Sequence, residues 1–427
     1  MSTPELLAPA GTLKSLKYAM AYGADAIYVG LPRYSLRVRE NDFDVPGLQE
    51  ALNLTRAAGK KLYVACNIVA HDTKIDTFLK DMEPVLAMQP DALIVSDPGI
   101  IHILRQHWPN QILHLSVQAN VVNSEAVKFW GTMGISRIIL SRELSVEEMA
   151  TIRERCPDME LEAFIHGALC VAYSGRCLLS GYMSHRDPNQ GACTNACRWS
   201  YKGVPATQTE EGRVVPAEEP GPMYLIEEKD RPDEWMVMEE DEHGTYVFNS
   251  KDLRAIRHVE ALAEMGMNSL KIEGRTKSFF YVARTVQVYR KALDAAARGE
   301  AFDPRWLLEL DDLANRGYTE GFYDRHAPDE MQNYEHGSTQ NSQQFIGEVL
   351  NGRGHQLHVE VKNKFAVGEA LELMTPTGNH RFILSQMEKL DGTPMEVAPG
   401  SGHQVRIPIP EAIPADSHEG MLLIRCS

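Results

Sequence analysis

The chain has 427 residues, room for two or three domains, and with 43 % hydrophobic and 24 % charged residues it can bury a sizeable core as an ordinary globular protein. Its formal net charge of -16 disfavours non-specific binding of polyanions, which needs clustered Lys and Arg, so any nucleic-acid partner must be gripped locally. No apolar run reaches the ~18 residues of a membrane span, and MSTPELLAPAG lacks a basic stretch followed by an apolar one, so the expectation is a cytoplasmic protein with reduced thiols.

From the N-terminus, short apolar runs alternate with helical patterns. ELLAPA leads into TLKSLKYAMAYG, with Leu13, Leu16, Ala19 and Met20 at helical spacing. AIYVG precedes the helix-like GLQEALNLTRAAGK, and KLYVACNIV, ALIVSD, LHLSVQAN, RIILSREL and LEAFIHG follow at intervals. After Leu144, Ser145 and Glu148 stand at capping-box spacing before a helix. An eighth strand candidate, SLKIEG, precedes the amphipathic FFYVARTVQVYRKALDAAARG.

Short Val-, Ile- and Leu-rich strands, each followed by a helix, predict a parallel sheet buried on both faces. Eight such units favour an α/β fold of the closed TIM-like (β/α) barrel type over a doubly wound sheet. LLAPAGT is not G-x-G-x-x-G, so a dinucleotide fold gains no support. Residues 200–242 are acidic and contain prolines, which predicts a surface excursion with little core of its own. From residue 338 to 427 the helical pattern stops, and short strands from FIGEVL to MLLIRC predict a small antiparallel β-barrel or sandwich. The reading is a catalytic barrel over residues 1–337, with a cysteine-rich loop at 166–199, and an all-β unit over 338–427.

Chemistry in such a barrel belongs at the carboxyl ends of the strands. Those ends carry Asn67 with His71, Ser96 with Asp97, Gln118 with Asn120, then Ser141, Arg142 and Glu143, His166, and Lys271, Glu273 and Arg275. Ser, Asn and Asp at strand ends ordinarily cap the next helix. The Arg–Glu neighbours in SREL and KIEGR fit either a partly buried ion pair or a site for a carboxylate or phosphate. His166 is distinguished only by its closeness to the cysteines.

Four of the seven cysteines, Cys170, Cys177, Cys193 and Cys197, fall within one segment directly after the seventh strand. In a reducing compartment a disulfide framework is disfavoured. Four converging thiolates would need a cation to hold them. The spacing C-x6-C-x15-C-x3-C suits an iron–sulfur cluster and fits zinc, which prefers tight pairs, less well; spacing alone leaves cluster, zinc and no metal open. Cys66 lies within a strand and reads as a small buried hydrophobe.

ELLAPAG, GADAIYVG, LSVQANVVN, ILSRELS, HGALCVAYSGRCLLSGY…RDPNQGACTNACRW, NSKDL and SLKIEGRTKS together resemble the collagenase-like peptidase U32 family, and more closely its bacterial tRNA 5-hydroxyuridine modification branch. The resemblance runs nearly end to end and includes KNKFAVGEALELMTP near the C-terminus. It implies a barrel-like catalytic domain and two different activities. One is a peptidase of unassigned mechanism. The other is oxygen-independent, prephenate-dependent hydroxylation of the wobble uridine of tRNA at carbon 5. It further implies a 4Fe-4S cluster on Cys170, Cys177, Cys193 and Cys197, with zinc as the alternative.

The residues sit better with hydroxylation than with proteolysis: the chain contains neither G-x-S-x-G nor H-E-x-x-H. On the hydroxylation reading the barrel mouth binds prephenate through Arg142, Lys271 and Arg275, with Arg33 and Arg37 as further candidates. Glu143, His166 and Glu273 complete the polar set. A uridine flipped from the anticodon loop would stack on Tyr34, Tyr173 or Trp199. A third class, a non-catalytic tRNA-binding or cluster-carrying subunit, would keep the cysteines without needing a polar pocket.

Overall fold

A computed structural model describes residues 3–36, 42–169, 251–311, 313, 315, 317–324, 343–353, 355–410 and 420–426, together with strands at 201–208, 214–216, 223–228 and 235–239. Eight parallel strands close into a barrel: β1 (Glu5–Pro9), β2 (Ala26–Gly30), β3 (Lys61–Cys66), β4 (Ala92–Val95), β5 (Leu113–Leu115), β6 (Arg137–Ile139), β7 (Glu160–Ala168) and, after a long excursion, β13 (Ser269–Ile272). Closure comes from β13, which pairs in parallel with both β7 and β1. The strands are short and almost wholly buried, as apolar runs flanked by helices require.

The intervening helices are α1 (Leu13–Ala21), α2 (Val45–Ala57), α3 (Asp72–Ala87), α4 (Pro98–His107), α5 (Ser124–Thr132) and α6 (Val146–Arg155). Several start where the sequence says they should. Asp97 caps α4 through Ile100 N, and Ser145 with Glu148 forms the full capping box of α6. Asp97 is thus a cap rather than a free strand-end acid.

Between β7 and β13 the chain adds an antiparallel sheet of β8 (Tyr201–Gln208), β9 (Val214–Pro216), β10 (Met223–Glu228) and β11 (Trp235–Glu239), in the order β11-β10-β8-β9. Residues 200–242 were expected to form a surface excursion; their acidic, Pro-containing composition hid four strands. Next, β12 (Asp252–Arg254) runs antiparallel along the protruding end of β7, and β14 (Tyr318–Thr319) pairs beside it. α7 (Val259–Glu264), α8 (Phe279–Ala297) and α9 (Arg305–Asp311) complete this side.

The C-terminal strands are β15 (Gln343–Arg353), β16 (Gln356–Val361), β17 (Phe365–Ala366), β18 (Ala370–Thr375), β19 (Gly378–Ile383), β20 (Glu388–Lys389), β21 (Val397–Ala398), β22 (Gln404–Pro408) and β23 (Leu422–Cys426). Seven form one antiparallel sheet and two a separate ladder around a core of their own. This sheet docks on the barrel through α1 and α8. Tyr22 Oη donates to the carbonyls of Met374 and Gly420, and Arg284 on α8 pairs with the buried Glu372. No helix among the described residues is long and apolar enough to cross a membrane.

Candidate functional site

The barrel interior is not purely apolar. Arg137, at the start of β6, lies with Nη1 2.6 Å from Glu5 and 3.4 Å from Glu162, and with Nε 2.8 Å from Glu160. Glu162 is fully buried in the middle of β7 and accepts from Lys271 Nζ at 3.0 Å. Burial works against the charge on Glu5, but the Arg137 guanidinium prevails and holds its carboxyl below the usual range. A column of charges therefore climbs the barrel from Glu5 to Lys271.

Lys271 belongs to the top filled layer. Its ammonium lies 4.3 Å from the ring centre of Tyr28 and 5.4 Å from that of Phe164. The same two rings carry the guanidiniums above: Arg142 Cζ stands 3.8 Å over Phe164, and Arg275 Cζ 5.8 Å from Tyr28. Arg142 donates to Ala168 O at 2.6 Å and reaches Glu273 at 3.8 Å; Arg275 donates to Ser35 Oγ at 2.6 Å. Tyr28 Oη donates to Glu273 Oε2 at 3.3 Å. Arg142, Glu273, Arg275 and Lys271 thus converge around two aromatic rings at the carboxyl end of the barrel.

Other candidates go elsewhere. Glu143 is half-buried next to Arg142 in the chain. Arg33 turns to Asp81 at 2.6 Å, and Tyr34, buried, gives its hydroxyl to the same carboxylate while packing edge-on against Phe78. Tyr34 is a core residue, not a stacking platform. Asn67 donates to Ser116 and Asn120 to Ser141, both at the rim.

His166 is the largest departure from the sequence reading. Strand alternation from Glu162 and Phe164 would send it into the barrel. Instead the β7–β13 register shifts between Lys271 and Ile272, so Ile272 comes to pair with His166. This bulge turns the imidazole outward into a cage of Tyr281, Tyr289 and Tyr318, with ring centres 5.8, 5.5 and 5.4 Å away. Its Nδ1 lies 3.3 Å from Tyr289 Oη, and Nε2 has no hydrogen-bond partner among the described residues. Burial, with Arg254 and Lys277 nearby, pushes the imidazole down to about 3, so it is neutral at pH 7. Gly167 makes the bulge possible: at φ +108° it lets Glu273 O approach to where a Cβ would stand 2.3 Å away.

Cys170, Cys177, Cys193, Cys197, Arg37, Tyr173 and Trp199 lie outside the described residues. The three described cysteines stand on different elements: Cys66 ends β3, Cys156 follows α6 and Cys426 ends β23. Among the described residues one His–acid grouping, His258 with Glu320 and Asp324, has metal-compatible spacing, but Arg257 already stands 3.3 Å from Glu320.

Residues 11–333 match the family described as peptidase family U32, and residues 341–423 match the peptidase family U32 C-terminal domain. The chain belongs to peptidase family U32. It is 56 % identical to tRNA hydroxylation protein P of Escherichia coli, across 96 % of this chain and 95 % of the relative. Identity to tRNA hydroxylation protein P of Haemophilus influenzae is 53 %, across 96 % and 94 %. The 23S rRNA 5-hydroxycytidine C2501 synthase of Escherichia coli is 29 % identical across 97 % of this chain and 57 % of that protein. In this U32 chain the residues that sequence reading missed are Glu162, Arg137 and Glu5. Their signal was present: an acid or a cation inside or heading an otherwise apolar strand, as in LEAF and RII.

Proposed function

We propose that this U32 protein is an RNA-modifying enzyme of the cytoplasm that hydroxylates tRNA, forming 5-hydroxyuridine at the wobble position with prephenate as co-substrate. The observation that carries the reading is the 56 % identity, over 96 % of the chain, to a protein named for tRNA hydroxylation. Relatives named for hydroxylation of two different RNAs support the reaction class.

The mouth suits a small dicarboxylate. Arg142 and Arg275 stand over Phe164 and Tyr28, so fork-shaped cations face an aromatic floor that would accept the ring of such an acid. A base from an anticodon loop is already largely unstacked, so presenting carbon 5 to this mouth costs little. Arg142, Glu273 and Arg275 bind and orient; Tyr28 holds the Glu273 carboxylate in place.

A 4Fe-4S cluster fits the donor chemistry of the chain: four thiols in one segment, Cys170, Cys177, Cys193 and Cys197, with the described cysteines standing apart. When bound, the cluster would supply one-electron transfer. The segment begins two residues beyond Ala168, whose carbonyl Arg142 holds at the mouth. Proteolysis would need a nucleophile beside a base, or a metal with an open position. The described residues of the mouth offer carboxylate and guanidinium in mutual contact instead.

The test is anaerobic purification of wild type and Cys193→Ala, with an ultraviolet–visible spectrum, iron, sulfide and zinc analysis, and an assay of prephenate-dependent 5-hydroxyuridine formation in tRNA. About four irons per chain with broad visible absorption, lost in the variant together with activity, is the expected result. One zinc and no colour would sink the redox reading.

A further inference from the structure

We propose that Lys271 is a nucleophile: its amine condenses with the ketone of a 2-oxo carboxylate whose carboxylate group is held by Arg142 and Arg275, giving an imine. This rests on the reading of the mouth as the seat of prephenate, which is a 2-oxo acid, and it names a covalent step on that substrate class.

The placement of Lys271 is the first argument. Barrel interiors of this type are filled by branched apolar side chains, and an amine there calls for a reason. Lys271 is the only buried lysine among the described residues. It lies not deep in the barrel but in the layer directly beneath the mouth, against the two rings on which Arg142 and Arg275 stand. An acid anchored by those guanidiniums would carry its adjacent carbonyl down toward Nζ.

The second argument is proton handling. Nζ donates to Glu162 Oε1 at 3.0 Å, so a carboxylate is in place to take the ammonium proton. Burial between aromatic faces disfavours the ammonium, and although Glu162 pulls the other way, the lysine is held below its usual range. The second Glu162 oxygen faces Arg137 at 3.4 Å, which fixes the carboxylate toward Lys271.

The step balances without any oxidant. The ammonium gives one proton to Glu162, and the free amine attacks the carbonyl carbon, forming the C–N bond. A second proton moves from nitrogen to the former carbonyl oxygen. Glu162 then returns its proton to that hydroxyl, the C–O bond breaks, water leaves, and a protonated imine remains. Charge is unchanged across the step.

The experiment is reductive trapping on the anaerobically purified full-length protein. Pyruvate and prephenate are supplied in turn with cyanoborohydride, and peptides are mapped by mass spectrometry, with acetone as a ketone lacking the carboxylate. The expected result is a reduced adduct on Lys271 with both acids, absent with acetone and absent in Lys271→Arg, which keeps a cation for Glu162. In Arg142→Ala the adduct falls by about tenfold or more, the loss of one charged hydrogen bond. No adduct on Lys271 from either acid, in protein that still hydroxylates tRNA with prephenate, would overturn the imine and leave the functional reading standing. Full activity of Lys271→Arg would do the same. A Lys271 adduct in protein that ignores prephenate would support the amine chemistry and sink the functional reading instead.

Discussion

Gly30 and Arg275 touch: a Cβ placed on Gly30 would stand 1.9 Å from Nη1 of Arg275 and 2.7 Å from Oγ of Ser35. The guanidinium lies across bare backbone at the end of β2, and the same Nη1 donates to Ser35 Oγ at 2.6 Å. Close approach, not a left-handed backbone, is what glycine provides here. Gly30→Ala should therefore displace Arg275 while leaving the strand intact. The expected outcome is a KM for prephenate raised by about tenfold, roughly 1.4 kcal/mol, with kcat changed less. Steady-state kinetics decides it. An unchanged KM would remove Arg275 from the small-molecule site.

Arg142 binds the end of β7 as well as facing the mouth. Arg142→Ala should weaken use of prephenate by about tenfold or more, since a charged hydrogen-bond donor is lost, yet leave the visible absorption of the protein intact. Loss of the absorption in this variant would make Arg142 a clamp on the segment after Ala168 rather than a binding residue.

Glu162 faces Arg137 and Lys271 from within the barrel. Removing its charge takes from Lys271 the carboxylate it donates to, while Arg137 keeps Glu5 and Glu160; breaking a buried pair on one side costs about 3–5 kcal/mol. Glu162→Gln should lower the denaturation midpoint sharply, and Glu162→Gln with Lys271→Met should recover part of the loss. Strict additivity of the two changes, measured by chemical denaturation, would show that the pair is not coupled.

His166 should make the protein acid-sensitive. Its imidazole is held at about 3 in the fold, against about 6.5 in an unfolded chain. The unfolded state thus binds more protons, so the stability from keeping this ring neutral is present above pH ~6.5 and is lost as pH falls below it, by up to about 1.4 kcal/mol per unit. In His166→Phe, thermal midpoints should fall less steeply between about pH 6.5 and pH 4.5 than in wild type. Parallel curves would mean that the ring is protonated without cost.

How much of this was legible in the sequence depends on the residue. Asp97, Ser145 and Glu148 could be assigned because capping is a local event settled within four residues. Arg142, Glu273 and Arg275 could be placed at the mouth because strand ends are visible as the points where apolar runs stop. His166 could not. Its direction depends on one residue of register between β7 and β13, strands separated by the whole excursion. Tyr34 was equally opaque, since only packing against Phe78 shows that it is core.

The sequence by itself determined the class of fold, because eight apolar runs each followed by a helix leave a closed parallel barrel as the economical way to bury both faces of every strand. It also determined the family, through motifs spread along nearly the whole chain. Only the tertiary structure decided which polar residues meet. Closure of β13 onto β1 and β7 set Lys271 against Glu162 and under Arg142 and Arg275, while the bulge beside Gly167 sent His166 away. Those outcomes depend on interstrand register and on close backbone approach, and both are distances between segments far apart in the chain.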